Sequence, residues 1–371
     1  MSDQLIKSEL VLGIETSCDD TSMGIIRTPT GGANSFPEIL AHDSFSSEML
    51  LAAWGGVGPE IAARSHLEKI PPLLSNIFSQ TNLTSEQIDL IGVTTHPGLL
   101  GPLLTGLNVA KTLSLFDQTP VVPVNHLYAH LEAIHLDHQV EYPYLGLLVS
   151  GGHSLFLLAH AADNFQILGS TIDDAAGEAF DKGGKILGLD YPAGRMIDQL
   201  AQRGDPHKFK FPIGLKGSGD AILSFSGVKT SLKKMVTEHP EYLEMVPKNT
   251  ANQPESYPLE FCHLVASYQH GIISALILKL KFAVKQAIKI SGRDDLPIVV
   301  GGGVACNSLL RQVITDDYPN SNLVNPSYCT DNGAMVANYA LRIKGQADLF
   351  PQSLELDAAS RFINKKRTSI Q

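Results

Sequence analysis

Cysteine is scarce. Four occur in 371 residues, Cys18, Cys262, Cys306 and Cys329, with no C-x-x-C pair among them. That spacing offers neither a disulfide framework nor a thiolate zinc site, and it predicts reduced thiols. Long hydrophobic runs are also missing: no stretch reaches the ~18–20 uncharged residues that would span a bilayer. The opening "MSDQLIKSEL" is neither signal-like nor arginine-rich, so a cytoplasmic location without a membrane partner is expected. Nor is there an excess of positive charge. With 28 Lys and Arg against 38 Asp and Glu, the net charge is −10 and the pI about 5.7, which excludes a protein that grips nucleic acid over its whole surface. A local basic patch is still available. Lys182, Lys185, Arg195, Arg203, Lys208, Lys210, Lys216, Lys229, Lys233 and Lys234 share one stretch with only Asp190, Asp198, Asp205 and Asp220 as acids.

What is present is apolar mass and glycine. Apolar residues make up 43% and charged residues 18%, which fits a soluble α/β enzyme with a sizeable core rather than a disordered or fibrous chain. The length suits two lobes, at roughly 100–200 residues per domain.

Two segments share one grammar of strand, small polar turn and strand. "LVLGIETSCDDTSMGIIR" is the first, and "PYLGLLVSGGHSLFLLAH" the second. Both predict a β-hairpin, and Leu12-Gly13-Ile14 and Leu145-Gly146-Leu147 occupy the same place ahead of the turn, as an internal duplication would leave them. Between the hairpins, "GPEIAARSHLEKIPPLL" has helical spacing and is expected to end at Pro71-Pro72. "IDLIGVTTHPGLLGPLLTGLNVAKTLSLF" reads strand, turn, helix, and "TPVVPVN" is a short strand feeding another helix. Alternation of this kind predicts a mixed or parallel sheet flanked by helices. After the second hairpin come helical segments at "AGEAFDKGGKILGL" and "GRMIDQLAQRG", and a long one ended by Gly292. "EHPEYLEMVPKNTANQPESYP" is the expected exposed loop. "LPIVVGGGVACNSLLRQVI" returns to strand, glycine turn and helix, and "TDNGAMVANYALRI" is a last helix before a frayed tail.

In "PVNHLYAHLEAIHL", His126 and His130 are four apart and project from one helical face, a geometry that suits a metal. The hydrolytic H-E-x-x-H motif places a glutamate after the first histidine; here that residue is Leu127, so the clamp is kept and the water-activating base is missing. Asp331 in "CTDNGAM" is the best acid for a third ligand, against the alternative of an ordinary helix N-cap. Imidazole plus carboxylate suits zinc, iron or manganese. Gly301, Gly302 and Gly303 form a tight strand-to-helix turn where backbone amides favour an anion, with Asn307 as ligand or cap. In "LVSGGHS", Gly151 and Gly152 are expected to supply the positive φ of a hairpin turn, and Ser150 is not on a serine-hydrolase elbow. Asp173, Asp174, Glu178 and Asp181, flanked by glycines, read either as a charged helix start or as a ligand-facing surface.

These segments together resemble the TsaD family, also called Gcp, the tRNA threonylcarbamoyladenosine transferases of the actin/sugar-kinase/Hsp70-like superfamily. The resemblance runs through "GIETSCDDT", "GGVGPEIAARSHLEKIPPLL", "PGLLGPLLTGLNVAK", "PVNHLYAHLEA", "LLVSGGHS", "STIDDAAGEAFDKGGKILGLDYPAG", "LSFSGVKT", "GGGVACNSLLR" and "CTDNGAM". It implies an α/β, two-lobed actin/Hsp70-like fold built of duplicated RNase H-like lobes with mixed sheets flanked by helices. Lobe I is expected over 1–120 with a returning C-terminal helix at about 331–345. Lobe II is expected over 121–330 with a helical insertion at about 175–290, and a tail over 350–371.

The resemblance also implies that His126, His130 and Asp331 hold one divalent cation, iron or zinc. It implies that Leu148, Val149, Ser150, Gly151, Gly152, Asp181, Gly194 and Asn307 line the nucleotide site, with Asp198 one helical turn after Gly194. The donor would be threonylcarbamoyl-AMP and the acceptor N6 of adenosine 37, in the anticodon loop of tRNAs reading codons that begin with A. Bacterial members are similar in needing a TsaB-like paralogue and a TsaE-like ATPase, whereas mitochondrial members act as homodimers. Two departures stand out: His96 replaces the usual glycine before Pro-Gly, and Asp20 replaces a common glutamate. Competing readings are a metal-dependent glycoprotease and a non-catalytic actin-fold nucleotide-binding regulator.

Overall fold

The computed structural model describes residues 8–29, 35–47, 59–247 and 253–361. Residues 362–371 of the expected tail and 248–252 of the expected exposed loop lie outside them. The chain divides into two compact units, Met1–Gln139 with Asp331–Gln371, and Val140–Thr330.

The first unit contains β1 (Leu10–Glu15), β2 (Asp20–Arg27), β3 (Glu38–Ser46), α1 (Pro59–Thr81), β4 (Leu90–His96), α2 (Leu100–Asp117), β5 (Val121–Asn125) and α3 (His126–Glu132). Its sheet has the order β3-β2-β1-β4-β5. The first three strands are antiparallel, as the hairpin reading requires, and β4 and β5 join in parallel. Because β5 continues this sheet, residues 121–139 belong to the first unit, where the sequence reading opened the second lobe at 121.

The second unit contains β6 (Tyr144–Val149), β7 (Ser154–Ala161), β8 (Asn164–Ser170), α4 (Ala176–Ile186), α5 (Gly194–Ala201), α6 (Ser226–Glu238), α7 (Leu259–Ser291), β9 (Ile298–Gly301), α8 (Ser308–Asp317) and β10 (Ser321–Leu323). Its order, β10-β9-β6-β7-β8, repeats that of the first sheet with the same strand directions. Gly13 and Gly146 fall on equivalent central strands, so the shared Leu-Gly pattern marks a repeated five-stranded unit. Helices α4 to α7 fill the connection between third and fourth strands that α1 fills in the first unit. Gly292 ends α7 in the left-handed region, at φ 72°, as expected of a helix-terminating glycine.

The expectation that α1 stops at Pro71-Pro72 is wrong: the helix runs on to Thr81 with both prolines inside. Both are exposed, as are Leu67 and Glu68 one turn earlier, so the carbonyls left without an N–H partner face water. The opposite face carries Ile70, Leu73 and Ile77 into the core with Leu12, Ile14, Ile25 and Val93. Burial of that stripe, at roughly 1.5–3 kcal/mol per large aliphatic side chain, offsets the lost hydrogen bonds.

After the second unit the chain returns to the first with α9 (Gly333–Arg342). Its bed is a row of glycines. Gly13 pairs with Gly24 on one side and with Gly92 on the other, giving three adjacent strands without a side chain at one level. A Cβ on Gly13 would stand 2.0 Å from the Gly333 carbonyl oxygen, and one on Gly92 would stand 2.4 Å from Ala340 Cβ. Backbone thus rests on backbone, and α9 is set closer to the sheet than any side chain would permit.

At its far end α9 is tied to α3. Asn338 donates to the Glu132 carbonyl at 2.9 Å, and Arg342 Nε bonds the buried Glu132 carboxylate. His135 lies beside this pair, and its pKa is pushed down to about 3, by burial first and then by the Arg342 charge. The unfolded chain therefore binds a proton that the folded chain refuses between pH ~6.5 and about 3. His135 thus favours folding above pH ~6.5, and the benefit falls by about 1.4 kcal/mol per pH unit through that window. Denaturant titrations at pH 7, 6 and 5 should show the unfolding free energy of His135→Leu declining less steeply than that of the parent.

Candidate metal centre and backbone cradle

The first unit gathers the three expected ligands. Asn125 caps α3, its Oδ1 accepting from Leu127 N at 2.9 Å and Tyr128 N at 3.3 Å, which fixes the rotation of the helix that carries both histidines. His126 and His130 are buried, so neither is a solvated surface imidazole. Their rings meet edge to face, with centroids 4.6 Å apart. Asp331 comes from 201 residues further on: its Oδ1 lies 3.0 Å from His130 Nε2 and 3.7 Å from His126 Nε2. The N-cap of α9 is Asn332, whose side chain accepts from Met335 N at 2.7 Å. The capping alternative for Asp331 is thereby removed, and its carboxylate is directed at the histidines.

One potential ligand atom from each of the three residues falls within 4.8 Å of the others. Ligands held ~2.0–2.2 Å from one ion stand roughly 3.0–3.5 Å apart; the two distances to Asp331, 3.0 and 3.7 Å, lie near that spacing, and the three residues could hold a metal ion. A residue that sequence reasoning missed stands behind this group. Glu15, at the end of β1, is fully buried and its Oε2 lies 3.1 Å from His126 Nδ1. The same oxygen accepts from Thr94 Oγ1 at 2.6 Å, and Oε1 accepts from Ser17 N at 2.6 Å. Ser17 Oγ also approaches His126 Nδ1, at 3.2 Å. Burial by itself would raise the Glu15 carboxyl and lower the His126 imidazole. Their mutual attraction prevails, holding Glu15 below the carboxylate range and His126 up at about 9. The signal in the sequence was an acid directly ending an apolar strand, followed by Thr16-Ser17.

The two departures lie around the β1–β2 turn and the turn after β4. The His96-Pro97 peptide is cis, and a Cβ on the following Gly98 would lie 2.6 Å from the Ser17 carbonyl oxygen. Leu99 N donates to that oxygen at 2.8 Å, so this turn packs directly on the residue that follows Thr16. Asp20 opens β2 opposite Ser46, and burial pushes the Asp19 carboxyl above its usual range.

The residues expected to line a nucleotide site lie at the end of β6 and on turns and helices of the second unit. The turn after β6 closes with Ser150 N donating to the His153 carbonyl at 2.8 Å. Contrary to expectation, neither Gly151 nor Gly152 has positive φ. Helix α4 starts against this turn: Gly177 N and Glu178 N donate to the Ser150 and Gly151 carbonyls, and a Cβ on Gly177 would lie 2.6 Å from Gly151 Cα. Positive φ falls instead on Gly302, at 91°, where a Cβ would lie 2.5 Å from the Val149 carbonyl oxygen. Gly151, Gly152, Gly194 and Gly303 have open space where a side chain would project. Backbone is therefore bare at these four positions.

Asp181 Oδ1 accepts from Ala193 N at 3.0 Å and so fixes the approach to Gly194. Asn307 caps α8 through Leu310 N, and its Nδ2 donates to Asp198 and to Gln269. Asp198 accepts in addition from Ser308 N and Ser308 Oγ, which makes it the anchor of Asn307. The neighbouring acids are used internally, against the ligand-facing alternative. Asp173 accepts from Ser224, Phe225 N and Ser226 at the start of α6, and Asp174 pairs with Lys182 and Lys229. Lys208, Lys210 and Lys216 are exposed.

Residues 38–338 match the family model for TsaD, tRNA N6-adenosine threonylcarbamoyltransferase. The chain belongs to the TsaD family. It is 40% identical over 348 residues to the tRNA N6-adenosine threonylcarbamoyltransferase of Geobacter sulfurreducens, covering 92% of this chain and 94% of that protein. To the protein of the same name from Maridesulfovibrio salexigens it is 39% identical over 359 residues, covering 95% and 96%. Among solved structures it is similar to component A of (R)-2-hydroxyglutaryl-CoA dehydratase from Acidaminococcus fermentans, with 14% identity and a TM-score of 0.48 over 91% of this chain and 99% of that one.

Proposed function

We infer that this chain transfers a threonylcarbamoyl group from threonylcarbamoyl-AMP to N6 of adenosine 37 in tRNAs reading codons that begin with A, releasing AMP. Membership of the family carries this reading. The alternatives are not favoured: Leu127, where a peptidase of the H-E-x-x-H type needs its base, is a buried core residue.

His126, His130 and Asp331 would hold the cation, iron or zinc, and when bound it would supply the positive charge of a Lewis acid. The chain's own residues do the rest. The bare backbone at Gly151, Gly152, Gly194 and Gly303 lets the adenylate approach main-chain amides, with Leu148 to Ser150 and Asn307 beside them and Asp198 fixing Asn307. An exocyclic adenine amine is a weak nucleophile, so alignment against an activated carbonyl with a good leaving group is what the enzyme must provide. Exclusion of water protects the mixed anhydride, and Leu127 in the place of a water-activating glutamate suits that need.

The acceptor base lies in a single-stranded loop and can be splayed out. We assign its backbone contacts to the Lys182–Lys234 stretch. The triple charge reversal Lys208→Glu, Lys210→Glu, Lys216→Glu is expected to weaken tRNA binding and flatten the slope of log affinity against log salt by roughly 2. An unchanged slope would place the tRNA elsewhere. No helix of the described residues is long and apolar enough to cross a membrane. A cytoplasmic enzyme working with a TsaB-like paralogue and a TsaE-like ATPase is the proposed setting, with homodimerisation the alternative assembly. The test is reconstitution: tRNA, threonine, bicarbonate and ATP with the adenylate-forming enzyme should yield the modified nucleoside and AMP. No nucleoside in the presence of these helpers would overturn the reading.

A further inference from the structure

We propose that Glu15 is the positioning residue of the cation site, fixing His126 as a ligand and completing the charge balance of the buried centre. The proposal rests on the reading of His126, His130 and Asp331 as the ligands.

The two histidines are not held alike. His130 Nε2 faces Asp331 at 3.0 Å, while its buried Nδ1 has no hydrogen-bond partner. His126 has Asp331 on its Nε2 side and Glu15 on its Nδ1 side, at 3.1 Å. A carboxylate that accepts the Nδ1–H leaves Nε2 as the nitrogen that a cation would take in place of a proton, and it stops the ring from flipping. Glu15 can do this because it is itself immobile. Thr94 Oγ1 pins Oε2, Ser17 N pins Oε1, and the residue has no exposed surface.

Charge points the same way. Two neutral imidazoles and one carboxylate leave a dication with a net charge of +1, and an unbalanced charge in a buried position is costly. Glu15 brings the local sum to zero. A site with both carboxylates is therefore matched to a dication, and a glutamine at position 15, which keeps shape and an acceptor oxygen, is not.

The experiment is a Zn²⁺ titration of metal-free full-length protein by competition with a chromophoric chelator, on the parent, Glu15→Gln and Asp331→Ala, together with Co²⁺ absorption spectra and metal-free thermal unfolding. Glu15→Gln is expected to bind Zn²⁺ about 10–100-fold more weakly, with a shifted Co²⁺ ligand-field band, while metal-free unfolding reads separately what loss of the buried pair with His126 costs the fold. Should Glu15→Gln not fold, Thr94→Val, which keeps the carboxylate but unpins Oε2, is expected to show a drop of about tenfold. If Asp331→Ala loses Zn²⁺ while Glu15→Gln, or Thr94→Val in its place, binds as the parent does, the proposal is overturned and the ligand set stands. If Asp331→Ala also binds as the parent does, the ligand set itself fails.

Discussion

Asp331→Ala is expected to fold normally, to lose its cation, and to form the modified nucleoside about a thousandfold more slowly than the parent. The separation of folding from activity follows from the geometry at the start of α9. Asn332, and not Asp331, satisfies the amide of Met335, while Gly333 N is satisfied by Ser22 Oγ at 3.0 Å. The N-cap of α9 does not depend on the Asp331 carboxylate. The cation does, because Asp331 is the one negative group in the ligand set. Metal content by elemental analysis, alongside nucleoside quantification after digestion of the tRNA, distinguishes this outcome from general misfolding. An Asp331→Ala protein that keeps a full equivalent of metal and normal activity would remove Asp331 from the site.

Gly13→Val is expected to destabilise the first unit by about 3 kcal/mol or more, because the contact is with main chain and cannot relax by a rotamer change. The Cβ would fall 2.0 Å from the Gly333 carbonyl oxygen and 2.4 Å from Ala337 N. Either β1 leaves the sheet or α9 lifts from it. In the second case Asp331, two residues ahead of Gly333, is drawn away from His126 and His130. Chemical denaturation should therefore show lower stability, and any folded fraction should bind metal poorly. Gly303→Ala is the contrasting control, since open space surrounds that position. Equal stability of Gly13→Val and the parent would mean that α9 is not seated on the glycine row.

Sequence periodicity captured the hairpins, the long helix ended by Gly292, and the two histidines on one helical face. These features are local: each follows from side-chain spacing within one element. The partners that complete the site are not. Asp331 reaches the histidines only because Gly13, Gly24 and Gly92 line up across three strands, a register that no single strand reveals. Family resemblance supplied Asp331, and it is the fold that explains how Asp331 arrives. Glu15 went unnoticed because an acid after an apolar strand reads as the end of the strand. Its burial and its bonds to Thr94 and His126 exist only once β1, β4 and α3 are assembled.

The misreadings have equally physical causes. Helix α1 passes Pro71-Pro72 because the penalty is met on a wet face while the opposite face packs the core. Gly151 and Gly152 border open space and do not take positive φ, which is found at Gly302 instead. Of the two readings open for the acids from Asp173 to Asp181, a charged helix start or a ligand-facing surface, neither anticipated that Asp173 and Asp174 fasten α6.

The most direct measurement is an anomalous-scattering map from crystals of the active protein, collected on either side of the absorption edge of the metal found by elemental analysis. A single peak within about 2.0–2.3 Å of His126 Nε2, His130 Nε2 and an Asp331 oxygen is the predicted result. A map with no peak among these three side chains, from protein that still forms the modified nucleoside, would contradict it.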